Sequence, residues 1–118
     1  MAIQSFDIDL TDSFERIPVK IFPDLQEASI HIAQEIARTI KEKQAAGEKC
    51  VLGLATGSSP KLVYAELVRL HKEEGLSFRN VVSFNLDEYY PIDNDALQSY
   101  NRYMRPQLFN HIDIAAEN

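Results

Sequence analysis

Apolar and polar positions along the chain alternate between short apolar runs and longer stretches with helical spacing. The run Pro18-Val19-Lys20-Ile21-Phe22 predicts a short first strand, stopped by Pro23-Asp24. From Leu25 onward, Ala28, Ile32, Ile36 and Ile40 recur every four residues, flanked by Ala33 and Ala37, and so share one face of a helix. Asp24 is its expected N-cap and Gly47 its stop, with Lys41 and Lys43 near the negative end of the helix dipole. The continuous apolar run Val51-Leu52-Gly53-Leu54-Ala55 suits a strand buried on both faces, as in a parallel sheet. A second helix is expected from Pro60, with Leu62, Val63, Leu67 and Leu70 facing inward and Gly75 beyond its end. The run Val81-Val82-Ser83-Phe84-Asn85-Leu86 makes a third strand.

Strand, helix, strand, helix, strand is the order of an α/β fold with right-handed crossovers. The fold class expected is a Rossmann-like open parallel sheet with helices on both faces. After Tyr90 a polar loop runs through Pro91, Asp93, Asn94 and Asp95. Tyr100, Met104 and Leu108 then recur at spacing four, and Pro106 fits best in a first helical turn. The expectation is a helix from about Leu97 to Met104 and a second short one starting near Pro106. Residues 1–17 hold neither period and read as an N-terminal arm; residues 18–118 read as domain. No internal repeat is evident.

Composition narrows the partners. With 118 residues, 45% hydrophobic and 25% charged, the chain has the make-up of one globular domain. A formal net charge of -6 opposes a nucleic-acid role, because phosphate-backbone binding needs a basic face. No apolar stretch approaches the length that spans a bilayer, and the acidic N-terminus lacks a signal peptide's positive charge, so the expected setting is the cytoplasm with no membrane partner. The single cysteine, Cys50, permits no intrachain disulfide and no thiolate cluster, and reads as a small hydrophobe at a strand start. His31, His71 and His111 lack second ligands at metal-binding spacing, so no metal site is expected.

Two segments carry candidate chemistry. Thr56-Gly57-Ser58-Ser59-Pro60 joins a strand to a helix start, where unpaired backbone N–H groups point outward and the glycine lets an anion approach. The hydroxyls of Thr56, Ser58 and Ser59 add donors. A plainer role is open: Ser58 or Ser59 could simply cap the helix. The loop matches neither nucleotide-binding glycine pattern, so a nucleotide is not implied. Asn85-Leu86-Asp87-Glu88-Tyr89 places two acids where the next strand leaves the sheet, at the edge where open α/β sheets bind ligands. A phosphate held at the first segment would lay a short sugar across to the second, where Asp87 could move a proton between adjacent carbons. Here too a bland alternative stands, with Asp87 capping a turn. Glu88, pointing elsewhere than its neighbour, reads as a positioning or structural acid.

With these residues in view, the chain resembles the glucosamine-6-phosphate deaminase (isomerase) family. The resemblance rests on VLGLATGSSP at 51–60, HKEEGLSFRNVVSFNLDEYY at 71–90, QSYNRYM at 98–104 and FNHIDIAAEN at 109–118, in family order and spacing, and extends over about residues 18–118. It implies that Thr56, Gly57, Ser58 and Ser59 hold the substrate phosphate and that Asp87 carries a proton between C2 and C1. The implied reaction converts glucosamine 6-phosphate to fructose 6-phosphate and ammonia, a hydrolytic loss of a C–N amine, with no metal or organic cofactor. The family's second catalytic segment, D-G-H-x-x-F-N-E-P, is not in these residues, so the chain resembles the N-terminal portion of an incomplete domain. It is expected to bind sugar phosphate weakly and not to turn over. A homo-oligomer is expected for the intact protein, and the arm resembles the leader of longer, multidomain relatives. A 6-phosphogluconolactonase-like hydrolase has a similar loop, but there an Asp-Glu-Arg motif stands where this chain has Asp87-Glu88-Tyr89. A non-catalytic sugar-phosphate-sensing effector domain is the alternative from another class.

Overall fold

The computed structural model describes Phe6–Asp7 and residues 16–118. Most of the expected N-terminal arm therefore lies outside the described residues. Two short strands, β1 (Phe6–Asp7) and β2 (Lys20–Ile21), pair antiparallel, with Phe6 opposite Ile21 and Asp7 opposite Lys20. The first strand expected from Pro18–Phe22 is thus shorter than predicted and stands apart from the parallel sheet. Pro18 and Pro23 flank it and offer no N–H to extend a ladder.

Helix α1 spans Leu25–Ala45. The Asp24 side chain accepts from the Glu27 N–H at 2.8 Å, as its N-cap role required, and Gly47 turns the chain away at φ 71° just past the last turn. Its buried face is Ser29, Ala33, Ala37 and Ile40, while Ile32 is 47% exposed. The expected ladder is rotated by about one residue. Small side chains at 29, 33 and 37 let α1 lie close against α2 (Lys61–Glu74), which an isoleucine ridge would hold off. On α2 the inward set is Val63, Tyr64, Leu67 and Leu70; Leu62 faces out and Tyr64 takes the place expected for it. Gly75 closes α2 in the left-handed region, as expected.

Strands β3 (Cys50–Leu54) and β4 (Val81–Asn85) pair in parallel, Cys50 beside Val81 through Leu54 beside Asn85. Asn80 sets the start of that register. Its backbone carbonyl accepts from Cys50 N–H at 2.7 Å, and its side-chain Nδ2 donates to the carbonyls of Ile40 and Glu48. Cys50, Leu54 and Val81 enter the same core as α1 and α2, and burial raises the Cys50 thiol above its ordinary pKa. The opposite face is open among the described residues: Val51 is 62% and Phe84 63% exposed. The expectation that β3 is buried on both faces is therefore corrected. Its apolar run is continuous, but only one side has helices against it here.

Helix α3 spans Tyr100–Gln107, followed by a 3-10 turn at Phe109–His111. The expected break at Met104 does not occur. Pro106 sits inside the last turn, and the chain leaves the helix only after it. Met104 and Leu108 join the core, and Asp113 fastens the C-terminal segment by accepting from Ser77 Oγ and Phe78 N–H, both at 2.6 Å.

Candidate functional site

Because β3 and β4 run parallel and end together, the chain leaves both at one sheet edge. The Leu86 N–H donates to the Leu54 carbonyl at 3.1 Å, one step past the ladder. The segment 55–60 leaves β3 there and the segment 87–99 leaves β4, so Thr56–Ser59 and Asp87 depart from the same edge. The four loop residues and Asp87 are all exposed except Thr56, which is half-buried.

Gly57 adopts φ 100°, a conformation that side-chain-bearing residues rarely take, and a Cβ built there would meet nothing within 4 Å. The glycine is therefore demanded by backbone geometry and leaves open space in front of the loop. Pro60 occupies the N-cap position of α2, one residue before the helical turn expected for it, and no side chain caps the helix. The Ser58 carbonyl accepts from Lys61 N–H at 3.4 Å and the Pro60 carbonyl from Tyr64 N–H at 3.1 Å. The capping alternative for Ser58 and Ser59 is set aside by this arrangement, and their hydroxyls face solvent at the positive end of a 14-residue helix.

Asp87 and Glu88 have separate surroundings. The Glu88 carboxylate accepts from the N–H groups of Tyr89, Tyr100 and Asn101, each at 3.0 Å, and from Ser99 Oγ at 3.2 Å. Ser99 Oγ in turn accepts from Arg102 N–H at 3.3 Å. Together they satisfy the first donors of α3, which is why the helix starts at Tyr100 rather than at Leu97. The Tyr100 N–H bond, followed by those from Asn101, Tyr89 and Ser99, outweighs desolvation and holds the Glu88 carboxyl below its usual range. Glu88 is thus fully occupied in fixing the segment that carries Asp87, as its reading as a structural acid anticipated.

Four tyrosines surround the edge, and the sequence pattern assigns no site chemistry to any of them. Tyr64 of α2 donates its hydroxyl to the Ala55 carbonyl, and Tyr103 of α3 donates to the Gly57 carbonyl. Burial, then the nearby Tyr103, push the Tyr64 phenol up to about 12 against the opposing pull of the Ala55 bond. Tyr100 donates to the Tyr89 hydroxyl at 3.2 Å, with ring centroids 5.0 Å apart. The Tyr100 phenol is raised by that bond first, then by burial, by Tyr89 itself and by the Asp87 carboxylate, while the Thr56 hydroxyl opposes the shift. Tyr100 is therefore within electrostatic reach of both Thr56 and Asp87. The available signal was tyrosine at apolar positions: Tyr64 inside an inward-facing stripe, and Tyr100 and Tyr103 three apart on one helix.

The histidines serve the fold. His71 Nδ1 contacts the Leu76 carbonyl at 2.6 Å, His111 Nε2 contacts the Pro106 carbonyl at 2.9 Å, and His31 packs at a tilt of 39° against Phe22 with centroids 5.1 Å apart. A concavity of about 650 Å³, lined among others by Ser83, Phe84, Asn101 and Phe109, follows the outer edge of β4 and does not include the loop or Asp87. Among the described residues, no helix is long and apolar enough to cross a membrane.

The model for glucosamine-6-phosphate isomerases/6-phosphogluconolactonase matches residues 23–118. The chain belongs to that family. It is 48% identical over 114 residues to a glucosamine-6-phosphate deaminase-like protein of Bacteroides thetaiotaomicron, covering 97% of this chain and 17% of that protein. It is 51% identical over 88 residues to the glucosamine-6-phosphate deaminase of Bacillus velezensis, covering 75% of this chain and 35% of that protein. A solved structure of a monomeric glucosamine-6-phosphate deaminase superposes with a TM-score of 0.74 at 44% identity, over 80% of this chain and 37% of that one. The chain therefore spans between about a sixth and two fifths of the length of these relatives. The α/β class and the parallel pairing of β3 with β4 agree with this family membership.

Proposed function

We propose that this chain supplies the phosphate-binding and proton-transfer half of a glucosamine-6-phosphate deaminase. The observation that carries the reading is the shared sheet edge, where the uncapped start of α2 at Thr56–Ser59 stands beside the exposed Asp87. Thr56, Gly57, Ser58 and Ser59 bind the 6-phosphate through backbone N–H groups and hydroxyls. Asp87 takes the proton from C2 of the open-chain amino sugar, an enolamine forms, the proton is returned at C1, and water releases the amine as ammonia. Glu88 keeps Asp87 in place through its bonds to the start of α3. None of these steps calls for a metal or organic cofactor. The reaction class is hydrolysis of a C–N bond, the substrate is a cytoplasmic metabolite, and ring opening and protonation of the leaving amine belong to a segment of the D-G-H-x-x-F-N-E-P type beyond these residues.

A lactonase reading is less favoured because Tyr89, which joins Tyr100 through their hydroxyls, stands where the lactonase motif has a cationic arginine. The test is ammonia release from glucosamine 6-phosphate. The 118-residue chain stays at background, and enzyme-like turnover by it alone would refute the division of labour. In a longer protein carrying both segments, Asp87→Asn lowers turnover by about 10²–10⁴-fold, the usual worth of a general base, and leaves sugar-phosphate binding in place.

A further inference from the structure

We propose that Tyr64 and Tyr103 set the direction of the backbone amides in the 55–59 loop, holding two alternate carbonyls back so that the N–H groups of Thr56 and Ser58 face the phosphate. This rests on the phosphate reading above and adds two positioning residues to it.

A trans peptide unit is planar, so its C=O and N–H point in opposite directions. The Ala55 carbonyl shares a unit with the Thr56 N–H, and the Gly57 carbonyl shares one with the Ser58 N–H; Tyr90-Pro91 is the one cis bond among the described residues. Tyr64 holds the first carbonyl and Tyr103 the second. Each N–H is thereby turned away from the phenol that binds its partner carbonyl. The two phenols reach the loop from different helices, α2 and α3, and each holds one of the two carbonyls.

The clamp answers a specific weakness of this loop. Glycine at 57 makes the φ of 100° accessible, but it also makes rotation of the 57–58 peptide easy, and a rotated unit would aim a carbonyl oxygen at the anion. A hydroxyl that donates its single proton to the carbonyl and is anchored by a packed ring opposes that rotation. Tyr64 is 3% exposed, so its ring is fixed by the core. Tyr103 packs on the core from α3, whose own start is fixed by Glu88 and Ser99. Order in the segment after β4 is thus linked to order in the loop after β3.

The experiment is a titration of the ¹⁵N-labelled 118-residue protein with glucosamine 6-phosphate, following the Thr56 and Ser58 amides, alongside a thermal melt of each variant. Tyr103→Phe keeps the ring and removes one hydroxyl; it should weaken binding about 3- to 10-fold, the range for one lost neutral hydrogen bond, and reduce the ligand-induced shift of Ser58. Tyr64→Phe should do the same at Thr56. Tyr90→Phe, at a side chain 98% exposed, should change neither. Since Tyr103 is only half-buried, its variant keeps the test decisive should Tyr64→Phe unfold. A purely structural role would lower the melting temperature and leave the affinity of folded protein unchanged. Wild-type protein that binds while Tyr103→Phe binds equally well overturns this inference and spares the phosphate reading. Wild-type protein that does not bind overturns both.

Discussion

Gly57→Ala separates the backbone requirement of the loop from any steric one. A Cβ at this position meets no atom within 4 Å, so nothing in the surroundings resists the methyl group. The whole penalty comes from φ 100°, and holding an alanine in a positive-φ conformation costs about 1–2 kcal/mol. For a domain of this size each kcal/mol corresponds to about 4–8 °C at the melting midpoint, so a fall of roughly 5–15 °C is expected if the loop keeps its shape. If it relaxes to negative φ, the stability loss shrinks, but the Ser58 N–H swings out of place and phosphate affinity falls instead. Urea unfolding and a glucosamine 6-phosphate titration on the same variant read the two outcomes together. Gly53→Ala is the comparison: its φ is ordinary, and its Cβ would meet the Leu86 Cδ2 methyl at 3.0 Å, the far end of a side chain that can rotate aside. An alanine at 57 that is as stable as wild type and binds as tightly would refute the reasoning.

Three further outcomes follow from the packing. Glu88→Ala removes the acceptor shared by Tyr100 and Asn101, and amide exchange at those two residues should accelerate by at least about tenfold while α2 keeps its protection. For Asp113, desolvation pulls the carboxyl up but the bonds from Ser77 and Phe78 outweigh it, so its folded pKa is lowered. Its contribution to stability is present above the ordinary aspartate value of about 4 and is lost as pH falls through the lowered folded value; the gap in urea midpoint between wild type and Asp113→Asn should close on acidification below about pH 4. Phe84→Lys places a charge on the open face of β4, where Phe84 is 63% exposed, and should shift a self-associating 118-residue chain toward monomer in sedimentation analysis, whereas an unchanged mass would show that this face is not the contact.

The features legible in the sequence were those determined by neighbours in the chain. Asp24 capping α1 and Gly75 ending α2 depend on a few adjacent residues, and both stand where expected. The loop at Thr56–Ser59 was legible because a glycine and a proline between an apolar run and an amphipathic one have few other uses. Features set by distant partners were not. Which face of α1 turns inward depends on what α2 presents, so Ile32 is exposed and Ser29 buried against the expected ladder. The start of α3 depends on Glu88, 12 residues upstream of Tyr100, and the hold on the Gly57 carbonyl comes from Tyr103, 46 residues away. An interior proline is unfavourable, which points to Pro106 as a helix start, whereas here it lies in the last turn of α3, and the core contacts of Met104 and Leu108 hold that turn in place.

The central claim is that the loop after β3 is a phosphate cradle beside the Asp87 carboxylate. Its most direct test is to titrate labelled protein in parallel with glucosamine 6-phosphate and with glucosamine, which differs only in lacking the phosphate. The account predicts that the amides of Thr56, Gly57, Ser58 and Ser59 shift with the phosphate ester and not with the free sugar, and that Asp87→Asn leaves these loop shifts intact. Equal responses to both sugars, or shifts confined to residues away from this sheet edge, would contradict it.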